Sequence, residues 1–101
     1  MLNKFRIPQD PEQKNTDRSE WARQALEEFE RATHMRDGDM AEALTDLFAD
    51  LAHLCDREQI DFAQCMYNAS SLYEEETGED GQQFERIGII PVVSDYILPK
   101  L

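Results

Sequence analysis

Residues 39–58, DMAEALTDLFADLAHLCDRE, decide how the chain is read, because an apolar and an acidic periodicity run through them together. Asp39 followed by Glu42 matches a capping box, in which the first side chain accepts a backbone N–H that the starting helix cannot satisfy itself. Leu44, Leu47, Phe48, Leu51, Leu54 and Cys55 then recur at helical spacing. On a wheel advancing about 100° per residue, Phe48, Leu51 and Cys55 fall within about 40° of Leu44. Glu42, Asp46, Asp50 and His53 fall between about 160° and 240°, on the opposite side. The stretch therefore predicts one amphipathic helix with an apolar face and an acidic face.

Outward from this segment, two more helices are expected. Asp17 and Glu20 form a capping box ahead of SEWARQALEEFERATHM, where Trp21, Ala25, Phe29 and Ala32 make an apolar stripe that ends at Gly38. Trp21, Phe29 and Phe48 are read as core. After DREQID, Asp61 serves as cap with Gln64 at the third helical position, and Ile60 is placed to pack on Cys65 as a hydrophobic staple. Phe62, Cys65, Met66, Ala69, Leu72 and Tyr73 form the third stripe, closed by Gly78 and Gly81.

Three helices joined by short turns predict a mainly α fold, a small three-helix bundle spanning residues 17–78 within a single domain of 101 residues. Residues 1–16 read as an N-terminal arm punctuated by Pro8 and Pro11, and residues 82–101 as an apolar extended segment. Gly88 and Pro91 oppose a helix there, and Ile87, Ile89, Ile90, Val92, Val93, Tyr96, Ile97 and Leu98 are too apolar for an idle tail. That segment is expected to lie across the bundle, to pair as a short β element with LNKFRI (residues 2–7), or to cross to a second subunit. So small a core also makes a homodimer an expectation.

Charge narrows the partners. The chain carries ten Lys and Arg against twenty-two Asp and Glu, a net −12. Residues 19–80 alone hold four basic and seventeen acidic side chains. Such a body is repelled by nucleic acid and by anionic membranes, and is attracted to basic protein surfaces. MLNKFRIPQDPEQK lacks the apolar run of a signal peptide, and Cys55 and Cys65 read as buried free thiols, so a cytoplasmic location is expected.

Chemistry is sparse. Cys55 lies opposite His53 on the wheel, so the two cannot share a metal. Asp46, Asp50 and His53 share a face but lack a fourth ligand. There is no HExxH, CxxC, glycine-rich phosphate loop or nucleophile elbow. Neither a cofactor nor a metal is expected. Tyr67 lies off the third apolar stripe, and Glu74, Glu75 and Glu76 form an acidic run at that helix's end. With Glu42, Asp46, Asp50 and His53 they are the protein-contact candidates.

Two resemblances sharpen these expectations. EALTDLFADLAHLCDREQIDF (residues 42–62) resembles the second-helix region of MazG-type all-α nucleotide pyrophosphohydrolases. In that family an ExxE pair and an ExxD pair on successive helices hold magnesium. Glu27 and Glu30 match the first pair, but Thr45 follows Glu42 and Ala49 follows Asp46 where the second pair needs an acid. The resemblance implies a degenerate relative or, as the alternative function, a magnesium-dependent hydrolase using Glu27, Glu30, Asp46 and Asp50. The segment LTDLFADLAHLCDREQIDFAQCMYNASSLYEEE (residues 44–76) is similar in character to small acidic proteins of phages, prophages and plasmids. Some of those inhibit host defences, CRISPR complexes included, by occupying basic channels. The implied function is a non-catalytic adaptor or inhibitor that docks on a basic protein surface.

Overall fold

The computed structural model describes residues 7–35 and 38–88. The protein is mainly α: α1 spans Lys14–Ala32, α2 Met40–Glu58, α3 Phe62–Thr77 and α4 Gln83–Arg86, with a 3₁₀ turn over Gly78–Asp80. Among the described residues there is no β-strand. LNKFRI up to Arg6, and the segment from Ile89 onward with its expected β pairing or subunit exchange, lie outside the described residues. Two compact units divide the chain, one of Pro11–Phe62 and one joining Met1–Asp10 with Ala63–Leu101.

In the Pro11–Phe62 unit, α1 starts three residues before the expected cap. Gln13 adopts the left-handed conformation (φ 59°, ψ 21°), and its carbonyl accepts from Asp17 N at 3.1 Å. Asp17 is thus inside the first turn rather than at the cap, where its charge still favours the positive end of the helix dipole. Arg18 reaches Asn15 at 2.6 Å and Arg31 reaches Glu28 at 2.7 Å, both exposed local pairs. The hydrogen bond that Arg31 donates to Glu28, reinforced by that carboxylate's charge, raises the Arg31 guanidinium above its ordinary value.

Nor does Gly38 end this helix. His34 takes the left-handed position at φ 60°. Its N–H donates to Arg31 O at 3.3 Å, while Met35 N donates to Glu30 O at 2.9 Å. These two bonds define a Schellman motif and satisfy carbonyls that the helix end would otherwise orphan. The α2 cap matches expectation: Asp39 Oδ1 accepts from Glu42 N at 2.9 Å. Gln59 closes α2 in the left-handed conformation, with Ile60 N donating to Cys55 O at 2.9 Å.

α1 and α2 pack on each other. What they bury corrects the expected core. Leu26 and Ala43 are the buried apolar residues among those described, whereas Trp21 is 64% exposed, Phe48 42% exposed and Phe29 half-buried. The reason is steric, because a helix approaches its neighbour most closely where a side chain ends at Cβ. Ala43 offers that surface, and the bulky residues of α2 are left to one side.

The second unit centres on α3. Its start directly after Asp61 and its end at Gly78 (φ 65°) agree with expectation. Ser70 is buried and donates its hydroxyl to Tyr67 O at 2.7 Å, within its own helix. After the 3₁₀ turn the chain folds back so that Phe84 of α4 meets Tyr73 edge-on, ring centroids 5.5 Å apart. This helical turn replaces the extended conformation expected from residue 82. Gln9 N donates to Asp80 Oδ2 at 3.4 Å, tying the lead-in to the same turn. Cys55 is half-buried, but Cys65 is exposed, as is Ile60, so neither buried thiols nor a staple describes these positions fully.

Candidate functional site

The acidic row on α2 begins at its cap. Asp39 fixes the first turn, and from there Glu42, Asp46 and Asp50 recur every four residues along one face, with His53 three further on. All four are exposed. Like charges four apart on a helix oppose folding by a few tenths of a kcal/mol per pair, roughly 0.2–0.5. The row contains two such pairs, Glu42–Asp46 and Asp46–Asp50. The ion pairs Lys14–Glu12, Arg23–Glu20 and Arg31–Glu28 lie on or just before α1 and do not involve this row.

The Schellman turn after α1 supplies the opposite wall. It brings Met35 back beside Phe29 and Thr33, and these three face Asp46, Ala49 and Asp50 across a groove of about 390 Å³. Phe29 and Met35 are half-buried, whereas Asp46 and Asp50 are exposed at its edge. The result is an apolar floor with two carboxylates on one rim. Trp21 and Ala25, eight and four residues before Phe29 on α1, are exposed and do not line the groove. Of the expected core stripe, Phe29 alone lines the groove, and Trp21, Ala25 and Ala32 are exposed.

The candidate residues are thus only partly gathered. Asp46 and Asp50 line the groove and Glu42 extends their row, while His53 is exposed toward the far end of α2. Tyr67, half-buried, and Glu74, Glu75 and Glu76 belong to α3 in the other unit. Glu74 and Glu75 are exposed and Glu76 is half-buried, at a helix end with no basic residue in its last turn. Among the described residues, no group of three or more His, Cys, Asp or Glu side chains is placed to hold a metal ion. Asp46, Asp50 and His53 form no such group, nor do Glu27, Glu30, Asp46 and Asp50.

Phe29, Thr33, Met35 and Ala49 are the groove residues that spacing alone misses. Their signal is indirect: the left-handed His34, which sends Met35 back over the helix, stands where Gly is the usual residue. Among the described residues, no helix is long and apolar enough to cross a membrane. The chain matches no family model, no curated protein and no solved structure.

Proposed function

We propose that this chain is a non-catalytic acidic binding protein, an adaptor or inhibitor that docks on a basic protein surface through the α1–α2 groove. The observation that carries the reading is the pairing of an apolar floor, Phe29, Met35 and Ala49, with the Asp46 and Asp50 carboxylates at its edge. That arrangement suits an arginine or lysine side chain: its hydrocarbon stem covers the floor, and its charged head meets the rim. Net −12 on the whole chain speeds encounter with a basic surface, and exposed Trp21 on α1 supplies an aromatic anchor. The likeness in size and acidity to inhibitors carried by mobile elements supports the inhibitory form of the reading.

Affinity capture from the native host, with the full chain as bait at two salt concentrations, tests this. The expected result is a specific basic protein retained at low salt and depleted at high salt. Capture of no specific protein at low salt overturns the reading.

A further inference from the structure

On the side of α2 turned away from the groove, the apolar residues remain largely uncovered. Met40 and Leu54 are 52% exposed, Leu44 and Phe48 42%, and Leu47, Leu51 and Cys55 half-buried. The residue that α2 does bury, Ala43, borders this face on the side of Leu47 and Leu54, so α1 covers one flank of it and leaves the rest open. Met40, Leu44, Leu47, Leu51 and Leu54 are spaced four, three, four and three apart. That is the period of about 3.5 residues with which helices meet one another along a seam, and Phe48 and Cys55 widen it on one flank.

We propose that this seam is a homodimer interface, α2 of one chain packing on α2 of a second copy. Three observations favour a second copy over another occupant. First, the seam is self-complementary: from Met40 to Cys55 its positions carry no charge, so two copies of a chain of net −12 meet there without opposing carboxylates. Second, the Pro11–Phe62 unit has Leu26 and Ala43 as its buried apolar residues among those described, and a second copy adds the missing layer at fixed stoichiometry. Third, the scale fits. The seam's seven apolar side chains run along about 22 Å of helix, two heptads' worth of a helix–helix seam.

Asp46 and Asp50 are not among the seam's positions, lying about 120° and about 80° around α2 from its centre. The dimer therefore presents two acidic grooves, and binds a partner with two basic sites with the gain that linkage gives. The seam stands independently of the proposed function, and the salt response separates them. Screening weakens docking on a basic partner but strengthens association of two acidic chains.

Sedimentation equilibrium of the full chain provides the test. A mass of two chains is expected at about 50 mM and at about 500 mM salt, with tighter association at the higher. Leu44→Glu with Leu54→Glu is expected to weaken dimerisation about 100-fold with helical circular dichroism retained, while Asp46→Asn with Asp50→Asn leaves the dimer intact. Isotope-filtered NMR on mixed labelled and unlabelled wild type supplies a reading free of substitutions. Intermolecular contacts among the Leu44, Leu51 and Leu54 methyls are expected. A monomer at about 100 µM, near the weak end of protein association, or a dimer without those contacts, overturns the proposal.

Discussion

At Gly81 the backbone passes so close to the side chains of α3 that any Cβ must displace a neighbour. A Cβ there would meet the Tyr73 ring at 2.6 Å and the Thr77 side chain, whose hydroxyl is already given to Tyr73 O. Gly81→Ala must displace Tyr73, which also disrupts the Tyr73–Phe84 pair. A loss of about 1–3 kcal/mol in urea unfolding is expected. His34 is the converse case, a side chain holding a left-handed turn at φ 60°. His34→Gly removes the steric cost while keeping both Schellman bonds, and a gain of about 1 kcal/mol is expected in the same measurement. Asp39 and Gly78 announce their roles in the sequence because their chemistry is local. His34 and Gln13 do not, since nothing in their side chains calls for a positive φ.

For the helices, number, order and approximate ends follow from periodicity, and α2 and α3 lie where their caps place them. Which face each helix buries does not follow, because a stripe of large residues shows only that a helix is amphipathic. Burial is decided by the neighbour, and here Ala43 draws α1 to the narrow side of α2. The same choice leaves Phe29 beside the acidic row and builds a groove that no motif announces. Two substitutions on α1 separate core from contact surface. Leu26→Ala removes a buried side chain and is expected to cost about 2–5 kcal/mol of stability by urea unfolding. Trp21→Ala is expected to leave stability within about 0.5 kcal/mol, yet to weaken partner binding by about 2 kcal/mol in titration calorimetry.

For the whole molecule, charge sets the terms. Seventeen of the twenty-two acidic residues fall within residues 19–80, the region that holds most of α1 and all of α2 and α3, so the field is concentrated on the helices. Composition makes that imbalance plain, but the groove that gives it direction depends on a helix pair that composition cannot fix. Acidic rows facing solvent weaken the fold by self-repulsion, and a basic partner relieves that repulsion on docking. The most direct test is retention of the captured partner by wild type and by the Asp46→Lys, Asp50→Lys double variant at low salt. The account predicts retention by wild type and loss of about 100-fold or more in affinity for the double variant, with helical content unchanged. Equal retention by both would contradict it.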